Sequence, residues 1–326
     1  MRPQHLTQAL TLAIDTQQPA FLWGSPGIGK SAIVKQVARE KNLPVRDVRA
    51  ALLDPVDLRG IPTVSNGRTV WTAPEFLPSD GDGLLFLDEL NAAPPLVQAA
   101  CYQLVLDRQL GEYTLPDGWT VIAAGNLESD RAVTSRMSTA LSSRFLHLEL
   151  DIHLDDWSKW AFANEIRPEI IAFVRFRPEL LHKFDPRSGE KSFPCPRTWE
   201  FASKILNGSP AREIEYEMVK GTIGEAAAAE FTGFLRIFRD LPSPDAILLN
   251  PDQADVPSDP ATLYALCGAL ARKASDQTAP RLFQYFNRLP PEFSVMAVRD
   301  SVSHCKDVAK TRSFIEWASK NSEILI

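Results

Sequence analysis

The 326-residue sequence predicts an α/β fold, a parallel sheet flanked by helices, which gives way to an all-helical region. The run Gly24-Ser25-Pro26-Gly27-Ile28-Gly29-Lys30-Ser31 lies between an apolar strand candidate, Ala20-Phe21-Leu22-Trp23, and a helix candidate over 30–41. Ile33, Val34, Val37 and Ala38 share one face of that helix. Further on, Leu84-Leu85-Phe86-Leu87-Asp88-Glu89 reads as a buried strand that ends in two acids. Ligands of open parallel sheets bind beyond such carboxyl ends. From Asp151 onward the apolar spacing becomes helical.

The elements follow in order. Residues 4–16, with Leu6, Leu10, Leu12 and Ile14 loosely spaced, suit a helix that packs beside the first strand or forms the base of a ligand site. Residues 44–48 form a second strand candidate. In the stretch 63–71, Asn66-Gly67 stands between β-branched residues and predicts a tight hairpin, because both turn positions must accept positive φ. Residues 74–78 can carry a short helix, and 80–83 a turn into the acidic strand. Pro94 and Pro95 suit the start of a helix through Asp107, with Val97, Cys101, Leu104 and Val105 on its apolar face. Leu115-Pro116-Asp117-Gly118-Trp119 is a turn that predicts a second hairpin over 110–119. A strand over 120–126 then ends in Asn126, and a short helix over 138–142 precedes Arg144 and a last strand over 145–150.

Helices are expected over 155–164, 168–183, 198–206 and 224–241, the third opened by Pro194-Cys195-Pro196-Arg197. Residues 241–260 carry five prolines and read as an extended strap. Four more helices are expected over 261–273, 280–288, 291–302 and 307–321. The division is an α/β core over 1–152, a helical lid over 153–241, and a region over 242–326 whose helices pack on the lid. No helical or propeller repeat is visible.

A net charge of −6 argues against a surface that grips nucleic acid by charge alone. No apolar run reaches the ~20 residues of a membrane span, and the start Met1-Arg2-Pro3-Gln4-His5 lacks a secretion signal's apolar core, so a cytoplasmic protein is expected. Cys101, Cys195, Cys267 and Cys305 are too scattered for a zinc knuckle. His147 and His153 likewise belong to no metal-ligand spacing and read as strand or surface residues.

The chemistry lies in the glycine-rich run. It fits the pattern Gly, four free positions, then Gly-Lys-Ser/Thr, in which backbone N–H groups turn inward around phosphate oxygens. Lys30 can reach the outer phosphates and the Ser31 hydroxyl can hold Mg²⁺. Composition alone yields this pattern by accident roughly once in a hundred chains of this length. Asp88 suits the Mg²⁺ shell and Glu89 the attacking water. A strand ending in Asp-Glu is otherwise a common surface cap, but the loop upstream makes the pair specific. The Asn126 amide can orient water or a phosphate oxygen, although a terminal Asn is also an ordinary turn residue. Arg144 is open to a blander role, capping a carbonyl.

In this order, the phosphate loop, acidic strand, Asn-ending strand, Arg before a last strand and Pro-x-Pro-Arg resemble the AAA+ ATPases, and among them the MoxR-type group. The likeness covers about residues 1–240. It is carried best by Leu85-Phe86-Leu87-Asp88-Glu89-Leu90-Asn91-Ala92-Ala93-Pro94-Pro95-Leu96-Val97-Gln98. The resemblance implies a P-loop NTPase core of the AAA+ type with ATP and Mg²⁺ as cofactors. Gly24 through Ser31 (Gly24, Ser25, Pro26, Gly27, Ile28, Gly29, Lys30 and Ser31) would bind nucleotide with Asp88, and Ser31 and Asp88 would hold the metal. Glu89 would activate water, Asn126 would be the first sensor, Arg144 the arginine finger and Arg197 the second sensor. The Asn66-Gly67 hairpin would match this clade's insertion in its second helix, and the 116–118 turn its hairpin before the first sensor.

Two departures stand out. Leu127 follows Asn126 where many relatives have proline, and Ser143 precedes Arg144 where aspartate is frequent, which leaves Arg136 as a rival finger. The resemblance further implies a homo-oligomer, a hexameric ring, that remodels or activates a client protein, including one with a von Willebrand factor A domain. Two other readings use the same core: a motor or loader acting on nucleic acid, for which Arg68 and Arg108 are the nearest cations to the hairpins, and a nucleotide-switched scaffold, which could dispense with Glu89.

Overall fold

The computed structural model describes residues 1–130 and 137–321. The chain divides into one unit of residues 1–153 with 185–189 and a second of residues 154–184 with 190–326. The first runs α1 (Pro3–Asp15), β1 (Ala20–Trp23), α2 (Lys30–Glu40), β2 (Val45–Arg49), α3 (Pro55–Arg59), β3 (Ile61–Ser65), β4 (Arg68–Thr72) and β5 (Gly83–Asp88). It continues through α4 (Pro95–Asp107), β6 (Gln109–Leu110), β7 (Tyr113–Thr114), β8 (Trp119–Gly125), α5 (Thr139–Ser142) and β9 (Leu146–Glu149).

Five strands form one parallel sheet in the order β2-β5-β8-β1-β9. Register aligns Trp23 with Gly125 and Leu87 with Ala123, so the chain leaves β1, β5 and β8 along one edge. Successive side chains of a strand point to opposite faces, and the core divides accordingly. Phe21, Leu85, Leu87, Val121 and Ala123 cluster with Val97, Cys101, Leu104 and Val105 of α4. Ala20, Leu22, Leu84, Phe86, Ile122 and Ala124 cluster with Leu6 and Leu10 of α1 and with Ile33, Val34 and Val37 of α2. Burial on both faces explains why these strands read as unbroken apolar runs.

The second unit is helical: α6 (Leu154–Ala163), α7 (Pro168–Phe176), α8 (Pro196–Asn207), α9 (Arg212–Ile223), α10 (Glu225–Arg239), α11 (Pro244–Leu249), α12 (Pro260–Ala271), α13 (Ala279–Phe286), α14 (Pro291–His304) and α15 (Arg312–Lys320). Phe173 packs against Trp199, Phe231 and Phe234. A further cluster joins Leu263, Leu266, Phe283, Phe286 and Trp317. Buried Asp300 on α14 accepts from Arg175 on α7, which also donates to Ser158 on α6 at 3.3 Å. Among the described residues no helix is long and apolar enough to cross a membrane.

Several local expectations are corrected. Residues 74–78 form a turn, closed by Leu77 N donating to Pro74 O at 3.0 Å, because Pro78 has no N–H to bond Pro74 O and disfavours helical backbone at Leu77. The hairpin before β8 turns at Gly111-Glu112, between β6 and β7. The turn at Pro116, closed by Trp119 N at 3.0 Å, instead feeds β8. Helix α7 stops at Phe176, since Pro178 cannot continue it. The proline-rich stretch is not wholly extended: Pro244 takes a first-turn position and starts α11, whose Ile247 and Leu248 are buried. Helix α9, with Val219 and Ile223 buried, fills a stretch for which no element was expected.

Candidate nucleotide site

The loop between β1 and α2 owes its shape to its glycines. Gly27 has φ +78° and Gly29 φ +105°, and Gly29 is the residue from which α2 begins. The unpaired N–H groups of a helix's first turn form an anion site. At the head of α2, Lys30 is only 8% exposed. Its Nζ donates to Gly24 O at 2.6 Å, to Ser25 O at 3.1 Å and to Asn126 Oδ1 at 2.9 Å. The ammonium is therefore anchored between its own loop and the chain leaving β8.

The acidic strand meets the same helix. Ser31 Oγ donates to Asp88 Oδ2 at 2.9 Å, while Asp88 Oδ1 accepts from Glu89 N at 3.0 Å. A hydroxyl beside a half-buried carboxylate is the donor set a hard divalent ion takes from protein while phosphates and water complete its shell. Glu89 has left the strand: its backbone is left-handed, φ +56° and ψ +34°, and its side chain is exposed. Such a backbone is uncommon for a residue other than glycine, and it turns Glu89 away from the strand direction that Asp88 keeps.

Two further residues enter without having been singled out. Asn91 Nδ2 donates to Asn126 O at 2.8 Å. Ser25 Oγ donates to Asp130 Oδ1 at 3.3 Å. Asn91 was visible only as a letter within the acidic-strand string, and Asp130 carries no motif at all.

Arg144, just past α5, is engaged by its own chain. Nη1 donates to Ala140 O at 2.8 Å and to Ser143 Oγ at 2.7 Å, and Nη2 donates to Tyr102 Oη at 3.0 Å. The guanidinium lies 4.8 Å from the centroid of the Tyr102 ring. Ser143, where aspartate is frequent in the resembling group, thus still gives Arg144 an acceptor. Arg136 lies outside the described residues. Arg197 is exposed in the first turn of α8, in the second unit. The structure joins Lys30, Ser25, Asn126, Ser31, Asp88 and Glu89; among the described residues no hydrogen bond of Arg144 reaches the loop.

Residues 19–145 match the family model described as an AAA domain of the dynein-related subfamily. The α/β unit is an AAA+ ATPase domain. Among curated proteins, the human ATPase family gene 2 protein homolog B is 37% identical over 94 residues, 28% of this chain and 12% of that protein. The rat protein of that name is 39% identical over 87 residues, 27% of this chain and 11% of its own length. The chain thus spans a small part of the curated relatives it matches. Among solved structures, Thermotoga maritima RuvB, a Holliday junction branch migration motor, is 19% identical with a TM-score of 0.41, covering 82% of this chain and 81% of that one. NtrX from Brucella abortus in complex with ADP is 14% identical with a TM-score of 0.43, covering 99% of this chain and 68% of the other.

Proposed function

We propose that this AAA+ domain hydrolyses ATP with Mg²⁺ at sites shared between subunits of a homo-oligomeric ring, and that the cycle remodels a client protein. The observation that carries the reading is the double junction at the head of α2: Lys30 bonded to both loop and Asn126, and Ser31 bonded to Asp88. Residues Gly24 to Ser31 would wrap the phosphates with backbone N–H groups, and Lys30 would neutralise the outer ones. Ser31 and Asp88 would hold Mg²⁺, which when bound supplies charge stabilisation to the transferring phosphoryl group.

Exposed Glu89 would accept a proton from the attacking water, and Asn126, whose Oδ1 accepts from Lys30, would turn its Nδ2 donor toward the terminal phosphate. Arg144 would act on a neighbour's nucleotide, which requires it to leave or extend from its present partners, and Arg197 would report nucleotide state to the helical unit. The MoxR-type likeness supports a hexamer in the cytoplasm and a client such as a protein with a von Willebrand factor A domain.

Turnover of ATP by the full chain, with and without Mg²⁺, tests this reading against Glu89→Gln. The variant should keep ATP bound while hydrolysis falls by about 10² to 10⁴, the range for loss of a positioned base. Parent-like turnover in the variant, or a parent that hydrolyses no ATP at any protein concentration, overturns it.

A further inference from the structure

Asn91 is a buried polar side chain for which the nucleotide reading has no use. It sits on the short helical turn Leu90–Ala92, just past Glu89, and is 2% exposed. Nδ2 donates to the main-chain carbonyl of Asn126 at 2.8 Å. A carbonyl can only accept, so this contact decides which end of the amide carries the nitrogen. Oδ1 must then turn the other way, where it has no hydrogen-bond partner among the described residues.

It turns toward Gly125. A Cβ built at that position would stand 2.3 Å from Oδ1, 2.7 Å from Asn91 Cγ and 2.8 Å from Phe21 Cζ. Glycine instead offers an α hydrogen in that direction, a weak donor to an otherwise orphaned oxygen. An unpaired amide oxygen in the interior is costly, and an apolar side chain would avoid that cost. What asparagine supplies in return is its bond to Asn126.

We propose that Asn91 is a positioning residue for hydrolysis, clamping the Asn126 peptide to the tip of the acidic strand. The ladder of β8 reaches only to Gly125, so Asn126 is the first residue that the sheet does not hold. Its side chain nevertheless meets Lys30 at 2.9 Å. By fixing its carbonyl, Asn91 sets the side-chain amide of Asn126 and, through it, the ammonium of Lys30. The proposal rests on the sensor role read for Asn126.

The test is a double-mutant cycle in the full chain, reading kcat and ATP affinity for Asn91→Ala, Asn126→Ala and the pair, with Gly125→Ala approaching from the other side. Asn91→Ala should lower kcat about tenfold or more while affinity stays within about threefold, and on the Asn126→Ala background it should cost less than about twofold, because it acts through Asn126. Gly125→Ala, whose methyl displaces Asn91, should reproduce the kcat loss. Parent-like kcat in Asn91→Ala beside an impaired Asn126→Ala overturns the proposal and leaves the sensor reading standing, as does a loss that multiplies in the pair. Parent-like turnover in Asn126→Ala removes the sensor reading and the proposal together. If Asn91→Ala does not fold, Asn91→Asp, of the same shape without the donor, goes through the same cycle with the same outcomes.

Discussion

Lys30 has a cost and a benefit that can be weighed separately. Its ammonium is largely out of water, and the carbonyls of Gly24 and Ser25 with Asn126 Oδ1 replace the lost hydration. The same ammonium stands at the head of α2, beside the loop whose backbone N–H groups would wrap a polyphosphate. Lys30→Ala should therefore weaken ATP binding by tenfold or more, about 1.4 kcal/mol at least. A titration with a fluorescent ATP analogue that finds affinity within threefold of the parent would refute this.

At this scale the residues that sequence could reach are those whose chemistry is set by near neighbours in the chain. Lys30, Ser31, Asp88 and Glu89 are read from local patterns, and each stands at the loop or the acidic strand tip. The pairing of Asn91 with Gly125 depends on two strands meeting at a register that no local pattern states, and Asp130 reaches Ser25 across more than a hundred positions. Arg144 was read with a capping role as its alternative, and in this structure it does cap Ala140 O.

At the scale of elements, legibility follows how many independent constraints a stretch carries. Strands β1, β5 and β8, buried on both faces, and helix α2, with one apolar face, were visible because burial and period agree. The β3–β4 hairpin was visible because Asn66 and Gly67 both adopt positive φ, +51° and +71°. Weak or divided signals misled: the second hairpin turns at Gly111 although Pro116-Asp117-Gly118 is the stronger turn in isolation, and α9 buries Glu215 among its inward residues, which blurs its apolar period.

Packing of the helices has a chemical readout. Burial pushes the thiols of Cys101 on α4 and Cys267 on α12 up to about 12. At pH 8 only about one such thiol in 10⁴ is ionised, and the thiolate is the reactive form. Partly exposed Cys305 should thus react first with a thiol reagent in the native protein, with Cys101 and Cys267 responding only after denaturation. Rapid labelling of every cysteine in the native state would show that α4 and α12 are not packed as described.

For the molecule as a whole, the two units are stabilised differently. The sheet unit buries apolar side chains on both faces, whereas the helical unit adds an ion pair between Arg175 and Asp300, with side chains 17% and 4% exposed. Burial raises the Asp300 carboxyl and the Arg175 charge lowers it. Removing one partner strands the other, so Asp300→Ala should destabilise the helical unit by about 3–5 kcal/mol, while replacing both with apolar residues should cost far less. Urea unfolding followed by tryptophan fluorescence, with Trp199 and Trp317 as buried reporters, reads both. Equal losses in the single and paired variants would show that packing, not charge, is at stake. This pair was beyond sequence reading because its partners are 125 positions apart.

If each site is completed by a neighbouring subunit, as proposed, mixing two inactive variants should restore turnover. Lys30→Ala would lack a competent loop but keep Arg144; Arg144→Ala would lack the proposed finger but keep the loop. Each alone should turn over ATP roughly 10³-fold more slowly than the parent, the scale seen for fingers. In a head-to-tail ring assembled at random from equal amounts, about a quarter of interfaces pair an intact loop with an intact finger, and turnover should recover toward that fraction. Arg144→Ala that binds ATP normally, is inactive alone and is rescued by Lys30→Ala is the expected result. No rescue in the mixture, with hydrolysis by the parent independent of protein concentration, would contradict the shared site.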